Sequence, residues 1–106
     1  MSAGKLASQA GHAFLDAYLL ALQVLPAIAA EYRQAHHGIK VCLAAGNLDA
    51  LQRAHDQAVA AGIPAAMVTD LGYTCFNGRP TITALGIGPA RQGSVRHITK
   101  RFPLLP

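Results

Sequence analysis

Three polar side chains near the amino terminus, Lys5, Gln9 and His12, recur at intervals of four and three residues. On a helix that spacing puts them on one face. Lysine brings a positive charge, glutamine a donor and an acceptor, and histidine two ring nitrogens. Two readings of the face stand, a solvated polar stripe or the edge of a ligand site. Asp70 follows a short apolar run, at the strand end where open α/β sheets place their ligands; capping the next turn through backbone N–H groups is its other role. Thr74, Thr81 and Thr83 add hydroxyls nearby, and Gly86 and Gly88 permit close backbone approach. Thr81 and Thr83 also suit a strand as β-branched residues sharing one face, so structure alone accounts for them.

Several chemistries are excluded or weakened. There is no GxxxxGK[ST] loop, no GxSxG and no HExxH, and Gly86-Ile-Gly-Pro89 follows the last predicted strand without the spacing of a dinucleotide fingerprint. Adjacent His36 and His37 cannot face one metal from a regular helix, so a metal site would need convergence with His12, His55 or His97. Cys75 lies among Thr74, Phe76 and Asn77 with no local base, which makes it a plain thiol rather than a nucleophile. No metal and no organic cofactor is expected.

The elements that must position these residues follow from periodicity. Leu6, Ala10, Ala13, Ala17 and Leu20 predict an amphipathic helix from Lys5 to about Val24, which Pro26 disrupts. Residues 28–37 resume a helical pattern up to Gly38, as a second helix or the far arm of a kinked one. Ile39–Ala45 is an apolar run between glycines and predicts a strand buried on both faces. Asn47 caps a helix from Leu48 to Ala61, and Gly62 closes it. Residues 65–69 form a strand that delivers Asp70, Thr81–Ile87 another, and a short helix runs from about Ser94 to Lys100. Strand, helix, strand in the middle implies a right-handed crossover and a parallel pair.

The 106 residues suit one domain, residues 1–106, with a radius of about 13 Å. At 52% hydrophobic and 13% charged, the chain is no charge-solvated disordered segment; its low charge suggests apolar surface covered by a partner subunit, a homodimer first. The longest uncharged stretch, Ala17–Ala30, is too short for a membrane span and is interrupted by Gln23 and Pro26. The amino terminus does not read as a cleaved signal, so a cytoplasmic protein is expected. Cys42 and Cys75 lack CxxC partners and are read as thiols. A formal charge of +4, with Arg91, Arg96, Lys100 and Arg101 crowded near the carboxyl end, permits a polyanionic partner.

The blocks GKLASQAGHA at 4–13, GIKV from Gly38, AGIP at 61–64, Asp70-Leu-Gly-Tyr-Thr74, Thr83-Ala-Leu-Gly-Ile-Gly-Pro89 and ITKRFPLL at 98–105 resemble, in order, the landmarks of the archaeal/eukaryotic-type peptidyl-tRNA hydrolase family. The resemblance covers nearly the whole chain. It implies an α/β single domain with a small mixed sheet flanked by helices, usually dimeric and cytosolic. The implied reaction is hydrolysis of the ester joining a peptide to tRNA, with peptidyl-tRNA as partner and no metal or cofactor. Lys5 resembles the family's Gly-Lys lysine, Gln9 and His12 its first-helix polar residues, Asp70 its strand-end aspartate, and Thr74 and Thr83 its loop and last-strand threonines.

On this resemblance Lys5, Asp70 and Thr83 are the expected catalytic residues. Asp70 polarises a water while Lys5 or Thr83 stabilises the oxyanion; alternatively Lys5 and Asp70 orient each other while Thr74 or Gln9 holds the ribose. Gln9, His12, Thr74, Arg79, Arg91, Arg96, Lys100 and Arg101 are the expected substrate contacts, the basic ones reading phosphate and shape. The family's opening strand, with an Arg-x-Asp-Leu-x-Met type segment, precedes its Gly-Lys helix, whereas here Met1 falls where that methionine would be, which implies a domain short at its amino terminus. The loop at 73–78 differs from the family's, the Asp70 to Thr83 spacing is longer by one residue, and phosphate anchors are few. A catalytically impaired RNA-binding relative and a homo-oligomeric interaction protein are the alternatives.

Overall fold

A computed structural model describes residues 1–35, 37–71 and 79–106. The first helix, α1 (Ala3–Val24), begins two residues earlier than its periodicity indicates, because the Ser2 side chain caps it by accepting from the Lys5 backbone N–H at 3.2 Å. Its buried row is Gln9, Ala13, Ala17 and Ala21. The α2 helix (Pro26–Gln34) starts at once, since proline at its first position gives up only an N–H that has no helical partner there. Leu25, at φ −139° and ψ 61°, breaks the path between them, so the segment is two helices.

Beyond a left-handed Gly38 (φ 74°), the chain corrects one expectation. Ile39–Ala45 is not a buried strand. Its Leu43 forms an isolated antiparallel bridge with Leu104, Ala44 N–H donates to Pro103 O at 2.8 Å, and Leu105 N–H donates to Cys42 O at 3.0 Å. Ile39 is 87% exposed. An apolar run reports side chains only, and here the backbone partner is the carboxyl-terminal segment rather than a central sheet.

The α3 helix (Leu48–Ala60), capped as expected by Asn47 Oδ1 on the Ala50 N–H at 2.8 Å, leads into β1 (Ala65–Asp70). The partner strand, β2 (Thr81–Ile87), runs antiparallel to β1, from the Ala65–Ile87 pair to the Asp70–Thr81 pair. The expected parallel pair is therefore absent among the described residues, because β1 takes its partner from β2 and not from Ile39–Ala45. Helices flanking a small sheet remain the architecture, closed by α4 (Gln92–Thr99).

The sheet has a different neighbour on each face. Leu85 and Ile87 of β2 pack with Ala54 and Ala58 of α3, Ile63, Ala65 and the fully buried Ile98 of α4. The opposite face meets α1 at Gly86, where a Cβ would collide with the Ala13 carbonyl oxygen and sit 2.9 Å from the Ala17 Cβ. Glycine on the strand and alanines on the helix thus let α1 lie directly on the sheet. The Cα radius of gyration is 13.7 Å. Among the described residues no helix is long and apolar enough to cross a membrane.

Candidate functional site

Close seating of α1 brings its amino-terminal half against the ends of both strands. Lys5 Nζ lies 2.5 Å from Asp70 Oδ2, with the two side chains only 20% and 8% exposed. One helical turn on, Gln9 is 4% exposed, donates from Nε2 to the same Asp70 oxygen at 3.4 Å and accepts at Oε1 from the Thr83 hydroxyl at 2.6 Å. The carboxylate requires donors, so the Gln9 nitrogen faces Asp70 and its oxygen is left for Thr83. The Thr83 hydroxyl also lies 3.5 Å from Val68 O, too long to compete with Gln9 for its one hydrogen. Ammonium, carboxylate, amide and hydroxyl form a chain of complementary partners, and no described buried side-chain nitrogen or oxygen is left unsatisfied.

Such a cluster has defined chemical capacity. A mostly buried carboxylate held by Lys5 and Gln9 keeps its orientation and can polarise a water. The lysine carries three N–H donors, so meeting Asp70 leaves capacity to face developing negative charge. Lys5, Gln9, Asp70 and Thr83 are thus brought together. His12 is exposed and makes no hydrogen bond to them among the described residues. Thr74 lies outside the described residues.

The basic candidates stand elsewhere. Arg79 is exposed just before β2, its carbonyl accepting from the Thr81 hydroxyl at 3.1 Å. Arg91 is 3.5 Å from Glu31 across an open groove that Ile28, Tyr32 and Pro89 also line. Arg96 and Lys100 are exposed at the end of α4. Arg101 donates to Gln57 Oε1 at 2.8 Å and stacks over Phe102 at 4.9 Å. None of the five joins the Lys5–Asp70 cluster. No group of three His, Cys, Asp or Glu able to hold a metal occurs among the described residues, and Cys42 is an exposed thiol.

The family model described as Peptidyl-tRNA hydrolase PTH2 matches residues 1–105. The chain belongs to the PTH2 family. The peptidyl-tRNA hydrolase of Methanopyrus kandleri is 35% identical over 105 residues, covering 99% of this chain and 88% of that protein. Those of Methanococcus vannielii and Sulfolobus acidocaldarius are 32% and 33% identical, each over 99% of this chain and 89% and 90% of theirs.

Membership of PTH2 gives the polar face of α1 a context that its spacing alone left open. Sequence reasoning singled out Lys5, Gln9, Asp70 and Thr83, which the structure brings together, but missed that Gln9 is buried. The signal was present, because Gln9 begins the four-residue row continued by Ala13, Ala17 and Ala21. It also missed the backbone irregularity beside Thr83, a register shift between Val68 and Thr69. No residue type announces that feature.

Proposed function

We propose that this PTH2 chain, as a single domain over residues 1–106, hydrolyses the ester between peptide and tRNA in peptidyl-tRNA, releasing free peptide and tRNA in the cytoplasm. The observation that carries the reading is the Lys5–Asp70–Gln9–Thr83 cluster in a chain of this family. Asp70 orients and polarises the attacking water, and Lys5 faces the oxyanion of the tetrahedral intermediate. The water's proton passes to the ribose oxygen as the ester bond breaks. Thr83 acts through Gln9, because its hydrogen is committed to the amide oxygen. The step balances with water as the only co-reactant, so neither metal nor organic cofactor is invoked.

His12 extends this site toward the acceptor end of the tRNA, and Thr74 is a further substrate contact. Arg79, Arg91, Arg96, Lys100 and Arg101 supply phosphate contacts, which suits an enzyme that accepts many tRNAs. A second copy of the chain is the other partner. The outward face of α1 supports it, with Gly4, Ser8, Gly11, Leu15, Leu19 and Leu22 all exposed and no charged residue among them.

Peptide release from a defined peptidyl-tRNA tests the reading. Turnover by the native chain should fall to background in Asp70→Ala, whereas Arg96→Ala with Lys100→Ala should raise KM and leave kcat within about twofold. Undiminished turnover in Asp70→Ala would remove the carboxylate from the mechanism.

A further inference from the structure

Alternation along the two strands does not place Thr83 where it is found. In β1, alternate residues share a face, so Val68 and Asp70 both point toward α1, Asp70 meeting Lys5 and Gln9 there. Their cross-strand partners, Ala84 and Thr81, belong to that same face. One residue separates Val68 from Asp70, but two, Ile82 and Thr83, separate Thr81 from Ala84. Beyond this point the even-numbered side of β2 faces α1, as Gly86 against Ala13 requires, while Leu85 and Ile87 pack on the α3–α4 side. Continued backward without a break, that alternation would turn Thr83 toward α3 and α4. Yet its hydroxyl donates to Gln9 of α1.

We infer that the one-residue bulge at Thr83 is a positioning device for the active site, re-aiming the hydroxyl onto the face that Gly86 holds against α1. A bulge sets two residues opposite one and redirects a side chain at the cost of a ladder bond. Val68, the residue opposite, has its carbonyl 3.5 Å from the Thr83 hydroxyl, as expected where regular pairing opens. Two demands on β2 explain the need. Gly86 must face α1 for the helix to approach, and a hydroxyl three residues earlier must face it too; an odd separation satisfies both only across an irregularity. The consequence is local control of Gln9, whose amide is held between Thr83 and Asp70. The inference deepens the hydrolase reading and rests on it for its kinetic consequence, but not for its geometry.

Deletion of Ile82 is the direct test. It restores one-to-one pairing, keeps Thr81 opposite Asp70 and keeps a threonine next to Ala84, but turns that threonine from Gln9. With the native chain turning over, kcat in the deletion should fall by the same factor as in Thr83→Ala, about 10- to 100-fold for a misplacement of this kind, with KM within about twofold. Combining deletion with Thr83→Ala should add no further loss. Deletion of Pro80, which shortens the same connection outside the paired residues, should keep most of the activity. Native-like turnover in the Ile82 deletion, or a further drop in the combined variant, overturns the inference. A nuclear Overhauser contact between the Thr83 methyl and Gln9 in the unmodified chain tests the geometry without any variant. Contacts from that methyl to Ile98 instead would overturn it even if the deletion failed to fold, and even if the native chain proved inactive on peptidyl-tRNA.

Discussion

Lys5 and Asp70 are oppositely charged partners that differ in how they meet solvent, and removal of each should therefore cost differently. Asp70, 8% exposed, is carried on a short side chain at the end of β1 and cannot move far toward water. Lys5, 20% exposed in the first turn of α1, has a four-carbon stem that can redirect its ammonium outward. Lys5→Ala leaves a carboxylate beside Gln9 without the ammonium charge, in the range where breaking a buried pair costs about 3–5 kcal/mol. Asp70→Ala leaves a lysine able to rehydrate but takes the acceptor from the buried Gln9 amide, and should cost about 1.5–3 kcal/mol, the loss of a hydrogen bond to a charged group. At about 4–8 °C per kcal/mol for a domain of this size, Lys5→Ala should melt clearly below Asp70→Ala by calorimetry. Equal melting points would show that the carboxylate, too, recovers its solvation.

Remote from the cluster, the α3 cap offers a stability test. Asn47→Ala removes the 2.8 Å bond to the Ala50 N–H, and should lower stability by about 1 kcal/mol with turnover unchanged. A normal melting point would mean that water replaces the cap without loss. This element was legible because a cap is written in one residue type at one position. Pro26 and Gly62 were equally legible, since proline fixes its own φ and glycine alone readily takes the positive φ, 73° here, that follows α3. Ile39–Ala45 was not, because pairing is a relation between distant segments: its bonds go to Pro103 and Leu105. The same reason hid the bulge, which exists only by comparing β2 with β1. In the site, spacing placed Lys5 and Gln9 on one helix and Asp70 at a strand end, but their convergence depended on the Gly86–Ala13 contact, which no local pattern contains.

Among the described residues, the outward face of α1 leaves large apolar side chains exposed. Leu15, Leu19 and Leu22 of α1 are 55%, 48% and 42% exposed, on the side away from the sheet. Gly4 and Gly11 lie on the same side with open space where a Cβ would stand, although glycine within a helix costs about 1 kcal/mol relative to alanine. Set antiparallel against α1 of a second copy, the helix matches Leu22 with Gly4, Leu15 with Gly11 and Tyr18 with Ser8, and each layer repeats by symmetry. Small residues opposite large ones let the helices approach closely, toward the short end of the usual 8–10 Å range. Twenty-two residues make a strip about 33 Å long and 10–12 Å wide, so the pair covers on the order of 800 Å² in total. That is below the area of a standard specific interface, so a dimer built on this face would be weak and concentration-dependent. Sedimentation velocity should show its fraction rising from about 1 to 100 μM. Leu15→Glu should hold the chain monomeric at the top of that range, because it sets a charge against the partner's Gly11 in a contact with no counterion. Gly11→Leu should do the same by separating the helices. A dimer that survives both substitutions would be built on another face, and the exposed leucines would then have no role in it.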